Sequence, residues 1–418
     1  MSTKKPLEGV KVIEMSTFIA VPACARYFAE FGADVIKVEP KTGDAVRFNG
    51  ESEGRLGDPY ENTTFDLENA HKRSLVVNLK DPEGREILYK LLADTDIFLT
   101  NWRPQALEKL GLDYNTLKEK FPKLVYASLT GFGETGPDRD LPGYDFTAFW
   151  ARGGLLGTLY QKDSEPINLI PGMGDHITGM LMGAGIMTAL YNAEKTGLGD
   201  YVTINLLHTA IWVQGIAIQA AQYKGLGQEY PISRKTAENP FNNTYMSKDG
   251  RHIQISMPPF DLFYPRFMPL IGRADLVGND RYKINNITRN KLHAEFIQIV
   301  SDAFAQKTAD EWSKILTEGD VPHSICYVWE EVLEDKQAWA TGVFQEHEYP
   351  SGKRAVIRPP VRIEGADVLP YVRAPMLAED SEGILKELGY TDEQLKEMHE
   401  KGVYNTWEDV KDFVMSKL

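Results

Sequence analysis

Val10-Lys11-Val12-Ile13-Glu14 is a short run dominated by β-branched residues, and it predicts a buried strand. Residues 16–21 then read as a loop. A helix opened by Pro22 and closed by Gly32 follows, since proline is tolerated in a first turn and glycine readily adopts the left-handed end. Residues 34–39 form the next strand. Strand, helix and strand within about thirty residues predict a βαβ unit with a right-handed crossover, and hence a parallel sheet. The alternation continues with a helix over 81–93, a strand at 96–100, a helix from Pro104 and a strand at 124–130. The fold class is therefore α/β.

Two long helical stretches, 176–194 and 206–223, flank a strand-like segment at 200–205. From about residue 224 to 249 the text turns polar, with Gly225, Gly227, Pro231, Pro240, Asn242 and Asn243, and reads as a linker into a second domain. Residues 251–257 look like a strand, helical text runs to about 316, and Val321-Pro322 starts another extended segment. The chain is strongly helical from Ser381 onward. No repeat or low-complexity segment is visible.

Length and charge narrow the function. At 418 residues the chain has room for two or three domains. Its formal net charge of −14 repels polyphosphate chains, which argues against nucleic acid as a partner, and an anionic ligand needs a local basic patch. Cys24 and Cys326 support neither a disulfide framework nor a zinc cluster, so a cytoplasmic, reducing setting is expected. The eight histidines lack ligand spacing, and no metal is expected. Met1 to Pro6 leads into no apolar signal region. The longest uncharged run, 201–223, carries Asn205, His208, Gln214, Gln219 and Gln222, which fits a buried interface helix better than a membrane span.

In an open parallel sheet, ligands bind at the carboxyl ends of strands, so the loops after Glu14, Glu39, Thr100 and Thr130 are the first places to look. The loop after Glu14 lacks the G-x-G-x-x-G of a dinucleotide site. Gly43-Asp44-Ala45-Val46-Arg47, Asn101-Trp102-Arg103-Pro104 with Lys109, and His71-Lys72-Arg73-Ser74 with Lys80 place cations near a flat aromatic. Such a set suits a ligand carrying phosphates and a purine, and equally a solvated basic rim. Gly131-Phe132-Gly133-Glu134-Thr135-Gly136-Pro137 leads into Leu141-Pro142-Gly143-Tyr144-Asp145, either a shaped loop against a ligand or a surface turn. Pro171-Gly172-Met173-Gly174-Asp175-His176 precedes a helix. Asp175 reads either as its N-cap or as a nucleophilic carboxylate at the mouth of a glycine loop. His176 reads either as a base or as a packed first-turn residue.

Taken as an ordered set, these loops resemble the class III (family III) CoA-transferases over nearly the whole chain. The carrying segments are Leu7 through Glu14, Phe31 through Glu39, Gly43-Asp44 with Arg47, Asn101-Trp102-Arg103-Pro104, Thr130-Gly131-Phe132-Gly133, Gly174-Asp175 and Lys386-Glu387-Leu388-Gly389-Tyr390. The resemblance implies a Rossmann-like large domain built from both termini, a smaller middle domain, and an interlocked, ring-like homodimer. The implied partition is 1–200 for the first part of the large domain, 201–224 for a helical linker, 225–320 for the small domain, and 321–418 for the return linker and the rest of the large domain. It also implies that Asp175 is the nucleophile, forming a mixed anhydride with the donor acyl group and then an aspartyl-CoA thioester. Ile19 and Ala20 would lie against the thioester. Arg47, Asn78, Lys80, Asn101, Trp102, Arg103 and Lys109 would lie near CoA, with Tyr144 and Asp145 beside the nucleophile. CoA thioesters are then substrates, and no cofactor is permanently bound.

The sequence departs from the formyl-CoA branch at Pro40, at Ile19 and in lacking a glycine run between 224 and 258. An apolar Ile19 favours an acyl group bulkier than oxalate. Glu61-Asn62-Thr63-Thr64-Phe65-Asp66-Leu67-Glu68-Asn69-Ala70 is similar to the branch acting on (R)-2-hydroxy acids, such as phenyllactate with cinnamoyl-CoA or 2-hydroxyisocaproate with its enoyl-CoA. In such pathways a 2-hydroxyacyl-CoA dehydratase is the neighbour. Two other readings remain at this point. One is an isomerase like the α-methylacyl-CoA racemases, disfavoured because Tyr144 stands where those carry histidine. The other is a non-catalytic CoA-binding protein in which Asp175 only caps a helix.

Overall fold

The computed structural model of the chain describes residues 4–223 and 230–418. It divides into two compact units, one made of Met1–Gly154, Leu169–Gln214 and Gln337–Leu418, the other of Leu155–Asn168 and Gly215–Lys336.

The first unit is a seven-stranded sheet. β1 (Lys11–Met15), β2 (Asp34–Glu39), β3 (Arg73–Val77), β4 (Ile97–Thr100), β5 (Val125–Thr130) and β6 (Tyr201–Asn205) lie in the order β3-β2-β1-β4-β5-β6, all parallel, with the short Tyr404–Asn405 strand antiparallel on β3. Val12 pairs with Val35 on one side and Ile97 on the other, which sets β1 at the centre. Strands buried on both faces need near-continuous apolar text, which is why the runs around Val12, Val35 and Phe98 are legible as strands. The helices of the N-terminal part are α1 (Ala20–Glu30), α2 (Thr63–Asn69), α3 (Pro82–Leu92), α4 (Pro104–Leu110) and α5 (Tyr114–Lys120). α6 (Met173–Thr196) and α7 (Leu206–Val213) come later in the chain.

Three expectations change. α1 starts at Ala20, two residues before Pro22, because a proline in the first turn forfeits no intrahelical bond. The basic text at 71–74 is not a loop. Arg73 opens β3, paired with Ile36 of β2 and bound to Asp34 and Glu387, so β3 hides behind its charged start. The uncharged run 206–223 is not one helix either. α7 ends at Val213, its cap residue Gln214 donating its side-chain amide to the carbonyls of Ala210 and Gly153, and a separate short helix, Gly215–Ala220, follows.

The second unit holds a three-stranded antiparallel sheet, Asn242–Met246, His252–Ser256 and His323–Ile325, under helices Phe260–Leu270, His293–Phe304 and Ala309–Glu318. Its core is aromatic, with Phe241, Phe267 and Phe296 fully buried. Of the expected linker, 224–229 lie outside the described residues, and 242–246 are a strand. The unit runs from Gly215 to Lys336 and takes in Leu155–Asn168, wider than the expected 225–320. Among the described residues no helix is long and apolar enough to cross a membrane.

The carboxyl ends of β1 and β2 break the apolar rule. Glu14 and Lys37 are wholly buried, as are the side chains of Lys72 and, nearly, Asp44. Glu14 meets Lys37 at 2.7 Å and Lys72 at 2.6 Å, Lys37 meets Asp44 at 3.1 Å, and Ser16 donates its hydroxyl to Glu14 at 2.7 Å. Burial works against a charged Glu14, but the two ammonium groups hold its pKa down to about 2. This charged floor fixes the loop that follows β1.

Candidate functional site

A cleft of about 310 Å³ opens where the strand order reverses between β1 and β4, the position at which open α/β sheets bind ligands. Thr17 to Ala20 line it after β1, Asn101, Trp102 and Arg103 after β4, and Gly131, Arg139, Leu141 and Tyr144 after β5, with Asp175 from α6. The first loop is held in an unusual shape. Phe18 stands at a φ of 65°, its N–H donating to Asp44 at 3.1 Å and its ring edge-on to Tyr144 at 5.3 Å. Asn101 accepts from the Thr17 N–H at 3.0 Å and donates to the Thr17 carbonyl at 2.8 Å. Its amide is therefore spent on positioning this loop.

α6 enters through Gly172, whose φ of 78° suits glycine, and a Cβ there would press on the Ile19 side chain. Asp175 is the third helical residue and not the N-cap, and it accepts no hydrogen bond from the described residues. A first-turn carboxylate is favoured by the helix dipole, yet burial, and after it the charge of Asp145, push the Asp175 carboxyl up to about 7. Asp145 is 5% exposed, and its two carboxylate oxygens close no hydrogen bond among the described residues. Burial raises it to about 6, with the charge of His176 pulling the other way. The bare Cα of Gly174 lies against Asp145 and Phe149, so the two acidic residues approach across glycine backbone.

His176 completes the group. Its Nε2 meets Oε1 of Glu68 at 2.8 Å, and Glu68 is 1% exposed. Burial disfavours the charged ring, but the bond to Glu68 and the charges of Glu68, Asp175 and Asp145 outweigh it, so the His176 pKa stands above its ordinary value.

Of the residues singled out from sequence, the structure brings Ile19, Ala20, Asn101, Trp102, Arg103, Tyr144 and Asp175 to one cleft, with Asp145 behind it. Arg47 does something else. It is 7% exposed, its guanidinium bonds Glu39 at 2.9 and 2.7 Å and the Pro375 carbonyl at 2.9 Å, and it lies 3.7 Å over the Phe65 ring. Lys72 belongs to the charged floor, and the imidazole of His71, whose side chain is 6% exposed, is driven down to about 3 by desolvation and by Arg358 and Arg26. Asn78, Lys80 and Lys109 do not line the cleft. Sequence reasoning missed Arg139, which lines it, and Glu68, whose role appears only when α2 is set against α6. Among the described residues no group of three histidine, cysteine or carboxylate side chains is placed to hold a metal.

The model of the family "CoA-transferase family III" matches residues 7–381. The chain is 51% identical over 392 residues to cinnamoyl-CoA:phenyllactate CoA-transferase of Clostridium sporogenes, covering 93% of this chain and 95% of that protein. It is 41% identical over 399 residues to (R)-2-hydroxy-4-methylpentanoate CoA-transferase of Clostridioides difficile, covering 95% and 99%. Among solved structures, a CAIB/BAIF family protein from Brucella suis superposes with a TM-score of 0.77 at 30% identity, over 92% of this chain and all of that one.

Proposed function

The chain belongs to CoA-transferase family III, and from that premise we propose that it passes CoA from an enoyl-CoA of the cinnamoyl or 2-isocaprenoyl type to an (R)-2-hydroxy acid such as phenyllactate or 2-hydroxyisocaproate. Asp175 is the covalent carrier. Its carboxylate oxygen attacks the thioester carbon and expels CoA thiolate, leaving a mixed anhydride. The thiolate attacks the Asp175 carbonyl and releases the donor acid, leaving an aspartyl-CoA thioester. The acceptor carboxylate displaces the thiolate again, and the thiolate returns to the acceptor acyl carbon and frees Asp175. The anhydrides conserve the energy of the thioester as long as water stays out. One observation carries this reading: Asp175 is the acid in the cleft wall that has no hydrogen-bond partner among the described residues and so is free to attack.

The apolar walls from Phe18, Ile19, Trp102 and Leu141 suit an aromatic or branched acyl chain. In an assay of CoA transfer from cinnamoyl-CoA, kcat/KM for (R)-phenyllactate or (R)-2-hydroxyisocaproate should exceed that for oxalate by about 10²-fold or more. Equal rates would defeat the assignment. Arg103→Ala should raise KM for the acyl-CoA several-fold, most at low ionic strength, while Lys109→Ala, outside the cleft, should change it little. An unaltered KM in Arg103→Ala would remove that residue from CoA binding. Because Asp175 must be ionised to attack, kcat/KM for the donor should climb as pH rises through about 7. A flat profile from pH 5 to 8 would contradict this.

The same reading includes a homodimer, supported by the exposure of Ile211, Trp212 and Val213 on α7, and a cytoplasmic location, supported by Cys24 and Cys326 both being free. It needs no resident cofactor, and a 2-hydroxyacyl-CoA dehydratase is the reaction that would consume its product.

A further inference from the structure

The exchange described above moves no net proton, yet each tetrahedral state at Asp175 adds negative charge beside Asp145 and Glu68. Among the described residues, the positive charge acting on Asp175 is that of His176, its neighbour in sequence. The ring is fixed. Nε2 is bound to Glu68, whose other oxygen, Oε2, is buried and unpartnered, so Glu68 has no competing partner. The Cε1 edge and the side chain of Ile19, a wall of the cleft, both lie against the bare Cα of Gly172. Nδ1, bonded to Cε1, makes no hydrogen bond among the described residues.

We propose that His176 is a catalytic imidazolium, donating from Nδ1 to the oxyanions formed on the Asp175 and acyl carbonyls, and that Glu68 is the positioning residue that holds the ring and its charge. The inference rests on the CoA-transfer reading. The proton stays on the imidazole throughout. The carbonyl electron pair moves onto oxygen as the new C–O or C–S bond forms, and returns as CoA thiolate or carboxylate leaves. The charged groups facing the ring are Glu68 from α2, Asp175 from α6 and Asp145 from the segment before α6, and their joint field favours its charged form. A charged donor in a half-buried site contributes more to such a state than a neutral one.

The test is the pH profile of kcat/KM for the acyl-CoA donor in the wild type, Glu68→Gln and His176→Gln, with quenched samples weighed for acylated protein. The wild type should lose activity on its basic limb as the imidazolium deprotonates. Glu68→Gln should move that limb down by about one pH unit. His176→Gln should abolish the limb and lower the plateau by about 10²-fold, with Asp175 still acylated slowly. A basic limb unmoved in Glu68→Gln, or His176→Gln within roughly three-fold of wild type at every pH, would overturn the inference. If Glu68→Gln fails to fold, the His176→Gln profile decides alone. The two readings fail separately, since a wild type that never acylates defeats the transfer mechanism, whereas acylated wild type with unchanged variant profiles defeats only the role of His176.

Discussion

Asp175→Asn should abolish CoA transfer, with kcat falling by about 10³-fold or more, because the amide cannot form the anhydride. The same variant should be more stable than the wild type at neutral pH. Asp175 has a folded pKa of about 7 against an ordinary 3.8, so as pH rises above about 4 the unfolded chain ionises first and the folded state is progressively disfavoured, levelling off above about 7. Removing the carboxylate removes that cost. The melting temperature should therefore rise by about 2–5 °C at pH 8 and by almost nothing at pH 4. A variant that is inactive because it is unfolded, or one that retains wild-type turnover, would contradict the account in different ways. The combination of lost activity and gained stability marks a residue kept for chemistry at the expense of folding.

Glu14→Gln should be the most destabilising single change in the first unit. Glu14 is fully buried between Lys37 and Lys72, and neutralising it leaves two ammonium groups facing an amide, at about 3–5 kcal/mol. Thermal unfolding should come roughly 5–10 °C lower. The sign with pH is fixed by the depressed pKa. The ionised form of Glu14 stabilises the fold fully above about 4.5, and that contribution is lost as pH falls toward 2. The gap between variant and wild type should narrow over that window. Because Ser16 bonds both Glu14 and Lys37, the loop bearing Phe18 and Ile19 loosens as well, and KM for the acyl-CoA should rise. A melting temperature within about one degree of wild type would show that the charged floor contributes nothing net.

What the sequence made legible follows from which interactions are local. β1, β2, β4 and β5 are apolar runs bounded by turns, and the strand-end rule led to the loops that line the cleft. β3 was obscured because Lys72 and Arg73 look like surface cations, whereas one is buried against Glu14 and the other is tied to Asp34 and Glu387. Arg47 is ambiguous in sequence for the same reason: an arginine after a glycine loop resembles a phosphate contact, and its bonds to Glu39 and its place over Phe65 come from segments apart in the chain. Asp175 stood out through its glycine setting and the family resemblance, but its cap reading fell only when the structure assigned the cap to Gly172. The partner of His176 lies 108 positions away on another helix, and no local pattern announces a pair of that separation.

The most direct measurement is peptide-resolved mass spectrometry of the enzyme quenched during turnover with cinnamoyl-CoA, followed by hydroxylamine. The peptide carrying Asp175 should gain an acyl or CoA adduct, convert to a hydroxamate, and be the only peptide to do so, while Asp175→Asn gains none. Unmodified Asp175 in actively turning-over enzyme, or a hydroxamate on any other residue, would contradict covalent transfer through Asp175.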